Sequence, residues 1–221
     1  AINGTDATSA SIRIARAYTG KEHIAVCGYH GWQDWYIGST SRHLGVPSAV
    51  RELTHKFEYN NIESLAKIFH HYDVSCVILE PMNIEYPKDD FLEKVKDLAH
   101  KNNALLIFDE TISGFRYSLG GAQELFNVVP DIATFGKGMA NGLPLSAVVG
   151  RNKVMQKVED IFFSGTFGGE TLSLASANAV IEKYKRRKVI GHLSEIGTYL
   201  LNKLDRLIDD QHLGDIFWTS G

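Results

Sequence analysis

Two kinds of apolar pattern alternate along this chain, stripes with a period near 3.6 residues and short unbroken runs. Ile62, Leu65, Ala66 and Phe69 stand at i, i+3, i+4 and i+7, which predicts an amphipathic helix over Ile62 to His71. Asp6 to Tyr18 predicts a second helix, with Thr5 or Asp6 as its cap, Ile12, Ile14 and Ala15 among its apolar positions, and Gly20 as its stop. Phe91 to Asn102, Thr171 to Lys185 and Val189 to Asp210 also read as helices. Between them lie the apolar runs Ile24 to Cys27, Val74 to Leu79, Ala104 to Phe108, Ile132 to Phe135 and Leu145 to Val149. Runs without a polar face suit strands buried on both sides, as parallel strands are. Their alternation with crossover helices predicts an α/β fold, a mostly parallel central sheet with helices on both faces. Residues 1–188 are expected to form a large domain, with 189–221 as a connecting helix and the start of a smaller C-terminal domain.

Composition removes several alternatives. With 221 residues, 44% hydrophobic and 22% charged, the chain can bury a sizeable core as an ordinary globular protein. A net charge of −3 gives no electrostatic case for nucleic acid or for an acidic membrane surface. The basic run Lys183 to Lys188 reads as a solvated helix end. Cys27 and Cys76 lie inside apolar runs without metal or CxxC spacing, which predicts buried free thiols in a reducing, cytoplasmic setting. No apolar run approaches membrane-spanning length. The chain begins at Ala1, already close to a working motif, and stops at Gly221 without a closing element. Both features predict an excerpt of a longer protein.

In doubly wound sheets, ligands bind at the carboxyl ends of the strands. The residues that follow the apolar runs are Gly28-Tyr29-His30, Glu80-Pro81-Met82-Asn83, Asp109-Glu110 and Gly136-Lys137-Gly138. Asp109 needs a partner there, because an unpaired carboxylate at the edge of an apolar core is costly. Lys137, between two glycines, could offer an amine for Schiff-base chemistry. The two residues also fit a plain ion pair, and Lys137 alone a side chain that reaches out to water. Asn3-Gly4-Thr5-Asp6 opens a helix and could seat a phosphate on free N–H groups, or serve only as a cap. Tyr29 could stack on a planar ring or simply pack. Phosphate cradle, stacking ring, acid and lysine are the four parts that a pyridoxal 5′-phosphate (PLP) site requires.

Six segments carry a resemblance: Asn-Gly-Thr-Asp-Ala from Asn3, Arg16 to Lys21, Tyr29-His30-Gly31, Phe108-Asp109-Glu110, Gly114-Phe115-Arg116, and Phe135-Gly136-Lys137-Gly138 with Gly142-Leu143-Pro144. In this order they resemble the class III aminotransferases. Gly120 to Glu124 and Ser164 to Glu170 are similar to the glutamate-1-semialdehyde aminomutase branch. The resemblance implies a fold-type-I PLP enzyme, a homodimer whose site is shared across the interface, acting on a small-molecule amino donor and carbonyl acceptor. It implies that Lys137 carries the cofactor as a Schiff base and shuttles protons. Asp109 would hold the pyridine nitrogen, Gly4 and Thr5 the phosphate, and Tyr29 one ring face. Thr166 would reach the phosphate of the neighbouring subunit's cofactor, and Asn83 would stand near the ring hydroxyl. Where the family usually has valine on the other ring face this chain has Thr111, with Ile112 as a possible substitute. Ile84-Glu85-Tyr86-Pro87 replaces the usual glycine-rich stretch near Asn83.

Two other readings compete. Leu105 to Glu110 fits a magnesium-holding Walker B strand of a nucleoside-triphosphatase. The partner motif GxxxxGK[ST] fails at both Gly-Lys pairs, because Ala15 and Asp131 stand where its first glycine belongs, and Glu22 and Gly138 follow Lys21 and Lys137. A phosphate loop could still precede this chain. The second competitor is a non-catalytic PLP-fold subunit, against which Lys137 and Asp109 both count. His70-His71 do not share a helix face, so they give no case for a metal. An aminotransferase and an aminomutase are equally compatible with these residues.

Overall fold

The computed structural model describes residues 1–82 and 84–220. In chain order the elements are α1 (Gly4–Thr19), β1 (His23–Cys27), the single turns α2 (Asp34–Ile37) and α3 (Ser48–Arg51), β2 (Thr54–Lys56), α4 (Ile62–His71) and β3 (Val74–Leu79). Then follow α5 (Phe91–Lys101), β4 (Leu105–Glu110), α6 (Ala122–Leu125), β5 (Ile132–Phe135), β6 (Ala147–Gly150), α7 (Asn152–Met155), α8 (Thr171–Arg187) and α9 (Val189–Asp210). The sheet order is β2-β1-β3-β4-β5-β6. β1 to β5 run parallel, and β6 returns antiparallel on β5.

The unbroken apolar runs are the central strands, and their side chains divide by parity between two cores. Val77, Leu79, Leu106 and Phe108 pack against α4 and α5 through Leu65, Ile68, Leu92 and Val95. Cys76, Ile78, Leu105 and Ile107 face the other way, onto Ile12, Ile14 and Ala15 of α1. Helices therefore cover both faces, as the pattern predicts. At the amino ends of β4 and β5, the buried Asp131 ties the layers together. It accepts from Leu106 N and lies 2.8 Å from His100 Nε2, with Arg151 as a further partner.

Three local expectations change. The cap of α1 is Asn3, whose side chain accepts from Asp6 N, so the helix starts earlier than its apolar stripe and Thr5 and Asp6 lie inside its first turn. Gly20 ends it as expected, in the left-handed region at φ 72°. β4 extends through Asp109 and Glu110, both of which pair with β5. The edge strand β2 has no sequence signature, since three residues on an edge are too few for a period to show. Lys183 to Lys188 close α8 as exposed residues, apart from the buried Tyr184 between them. α9 has no buried residue.

Leu106 is fully buried at the centre of the α4–α5 core. Leu106→Ala is expected to lower stability by about 2–5 kcal/mol, the usual loss for a large apolar side chain and the cavity it leaves. Urea unfolding followed by circular dichroism measures it; a loss under about 1 kcal/mol would mean that this core collapses around the gap.

Candidate active site

Parallel strands end on one edge, and α1 begins there, so five chain segments meet in a single cleft of about 400 Å³. Its walls include Gly4 and Thr5 from α1, Tyr29 and His30 after β1, Glu80 after β3, Asp109, Thr111 and Ile112 at β4, and Lys137 after β5. Seven of the residues expected from sequence thus come together: Gly4, Thr5, Tyr29, Asp109, Thr111, Ile112 and Lys137.

The electrostatic centre is Asp109, only 5% exposed. Burial alone would raise its pKa, but the His30 ring and the groups of Thr111 outweigh that and hold it below the ordinary carboxylate range. His30 Nδ1 stands 2.8 Å from Oδ2, while Thr134 Oγ1 and Thr111 N donate to Oδ1 at 3.0 and 3.2 Å. The second nitrogen of His30 bonds to Cys27 O at 3.0 Å, so the ring is fixed at both ends. Asp109 is partnered by His30, and among the described residues Lys137 forms no ion pair. A plain Asp109–Lys137 pair is therefore not what this site contains. His30 and Thr134 had no role in the sequence reading. The available signal was their position at strand ends, beside Tyr29 and opposite Asp109 in the β4–β5 register.

The first turn of α1 presents a helix start, a geometry suited to an anion, toward the cleft. Asn3 caps Asp6 N, and Ala7 N bonds to Asn3 O, while among the described residues the Gly4 and Thr5 N–H groups have no acceptor. The helix dipole adds positive potential at this end. Gly31 closes the cradle from the β1 side: at φ 104° it takes a conformation that favours glycine, and a Cβ there would stand 2.4 Å from Thr5 Oγ1.

Lys137 is exposed between the buried Gly136 and Gly138. It opens a single 3-10 turn with φ 33°, a left-handed conformation that costs a non-glycine residue on the order of 1–2 kcal/mol. The hydrogen bonds Met139 N to Gly136 O and Asn141 N to Lys137 O hold the turn. Tyr29 keeps its ring at the cleft, 60% exposed, with its N–H donating to Glu80 Oε2 at 3.1 Å. It packs edge-to-face with Tyr36, 5.7 Å between centroids. Ile112 also lines the cleft and is 47% exposed.

One expected residue lies apart, and one lies outside the described residues. Thr166 is exposed in the segment before α8, in a neighbouring depression with Ala1 and Ser164 rather than in the cleft. Asn83 lies outside the described residues. Glu110 turns away from the cleft into the fold, where it accepts from Ser113 Oγ, Ala122 N and Gln123 N. A carboxylate so engaged and fully buried is not free to act as the second acid of a Walker B pair, so the geometry gives that reading no support.

The family model for class III aminotransferases matches residues 1–217. A 3-aminobutyryl-CoA aminotransferase of Cloacimonas acidaminovorans is 39% identical over 94% of this chain and 51% of its own length. A glutamate-1-semialdehyde 2,1-aminomutase of Francisella philomiragia is 37% identical over 97% of this chain and 56% of its own. Among solved structures, a transaminase with PLP bound superposes with a TM-score of 0.90 at 25% identity, covering 97% of this chain and 55% of the other. Sheet and neighbours show the fold of the PLP-dependent transferases of fold type I. Within that class, the chain belongs to the class III aminotransferases. It spans about half the length of the curated relatives it matches.

Asp109 titrates below its unfolded value of about 3.9, so its contribution to stability is present above that pH and is lost as pH falls through the folded value. In His30→Asn the burial remains while the compensating ring is gone, so Asp109 should take up its proton at higher pH. The acid limb of urea stability, followed from about pH 7 to about pH 3, should therefore move upward in pH. An unmoved limb would show that His30 is not what keeps Asp109 ionised.

Proposed function

We propose that this chain is the cofactor-binding portion of a PLP-dependent enzyme that moves an amino group. It acts either from an amino donor to a carbonyl acceptor or, as an aminomutase does, within one molecule. The observation that carries the reading is the convergence, in one cleft, of an exposed lysine, a buried ionised acid, an aromatic ring and a helix start with free N–H groups. The donor set fits PLP: the Gly4 and Thr5 N–H groups suit its phosphate, Asp109 suits a protonated ring nitrogen, and the cleft is wide enough for a planar ring. PLP, when bound, supplies an electron-withdrawing ring that stabilises negative charge on the carbon bearing the amino group.

Each residue has a separate task. Lys137 Nζ would be the point of attachment and, when free, would take up and return the proton of the carbon that bears the amino group. Asp109 keeps the pyridine nitrogen protonated, which its own depressed pKa supports. Gly4 and Thr5 hold the phosphate. Tyr29 would cover one ring face, with Thr111, or Ile112 in its place, on the other, and Asn83 would stand near the ring hydroxyl. Thr166 serves the neighbouring subunit's phosphate in a homodimer, a role supported by its exposed position away from its own cleft. Residues 1–188 form the large domain, and 189–221 lead toward a smaller one, consistent with an α9 that buries none of its side chains. A cytoplasmic setting fits the free thiols Cys27 and Cys76, which burial pushes up to about 12. Among the described residues no helix is long and apolar enough to cross a membrane.

The test is the absorbance spectrum of the intact protein with PLP, before and after borohydride, beside Lys137→Ala. A yellow band that borohydride fixes covalently to Lys137 is expected in the wild type and should be absent from the variant. Amino transfer in Lys137→Ala should fall by about 10²-fold or more, the scale on which a positioned acid–base group contributes. Wild-type protein with neither band nor covalent trapping would sink the proposal.

A further inference from the structure

Thr111 is the position where this chain departs from the apolar residue its family usually carries, and the structure shows an unexpected consequence. Its Oγ1 is buried and, among the described residues, has no hydrogen-bond partner. A buried hydroxyl without a partner is a cost that a valine of nearly the same shape would avoid. The nearby Asp109 carboxylate competes for this hydroxyl: the Thr111 side chain as well as its N–H helps hold that acid's pKa down. Only the N–H, with Thr134 and His30, makes a hydrogen bond of accepted geometry to it.

The side chain lies instead against the start of α1. A Cβ built on Gly4 would stand 2.8 Å from Thr111 Cγ2 and 3.1 Å from Oγ1, so only glycine leaves room for threonine here. The N–H groups of Gly4 and Thr5, likewise without acceptors among the described residues, occupy the same corner. One buried hydroxyl and the N–H groups of two half-buried residues thus lie at the positive end of a helix, on the cleft wall. Such a set suits an anion with several oxygens.

We infer that Thr111 is a phosphate-binding residue, its hydroxyl donating to the cofactor phosphate seated on Gly4 and Thr5. This role is separate from packing on the ring face and rests on the PLP reading above. It is tested with the intact protein, stripped of cofactor, by titrating PLP and phosphate-free pyridoxal into wild type, Thr111→Val and Thr111→Ser, with binding read from absorbance and from the shift in melting temperature. Thr111→Val should weaken PLP by about tenfold or more, the effect of losing one hydrogen bond to a charged group. It should leave pyridoxal unchanged, and Thr111→Ser should stay near wild type. The stripped Thr111→Val protein should melt no lower than wild type, since it loses only an unpaired hydroxyl. Equal weakening of PLP and pyridoxal would assign the hydroxyl to Asp109 and the ring, and overturn the inference. So would unchanged PLP affinity in the valine variant. If wild type itself fails to bind PLP, the underlying functional reading falls and the inference with it.

Discussion

Removing the Asp109 carboxylate from water at the end of β4 costs several kcal/mol unless other donors replace the solvent. Three parts of the chain provide them: the loop after β1 through His30, β5 through Thr134, and the backbone of Thr111. Meeting that requirement positions much of the cleft. With His30 anchored to Cys27 O as well, the loop after β1 folds back over the sheet edge. Gly31 is thereby brought against Thr5, and Tyr29 onto the cleft wall. Cradle, ring and acid are therefore joined through one loop.

Adjacent acids in β4 perform opposite tasks because successive side chains of a strand point to opposite faces. Asp109 faces the cleft, whereas Glu110 accepts the backbone N–H groups of Ala122 and Gln123 and so secures the segment between β4 and α6. That segment begins with Thr111 and Ile112, whose placement depends on its far end being held. Lys137 completes the site from β5 in a left-handed conformation that the surrounding turn maintains. The strain is local and small beside the stability of a domain, and it leaves the amine at the cleft rather than in the core.

Much of this was legible in the sequence. The strands Val74–Leu79 and Ile132–Phe135 and the helices Ile62–His71 and Val189–Asp210 have the bounds their patterns predict. Apolar run and amphipathic stripe are local properties, set by which residues must leave water. The strand-end position of Asp109 and Lys137 followed from the same logic. Less local features escaped. The antiparallel direction of β6 leaves no mark on a short apolar run, and the cap at Asn3 competed with two other capping residues in the same turn.

What the sequence determined by itself was the alternation of elements, hence the layered sheet and the edge on which a site must lie. The tertiary structure alone decided who partners whom. It gave Asp109 to His30, 79 residues away, rather than to Lys137, and it set the buried Thr111 hydroxyl beside the helix start, without a hydrogen bond of accepted geometry among the described residues. It also set Thr166 outside the cleft. The reason is physical: periodicity records what each segment does with water, whereas a hydrogen bond between distant segments depends on ångström-scale approach that only the packed sheet and its loops define.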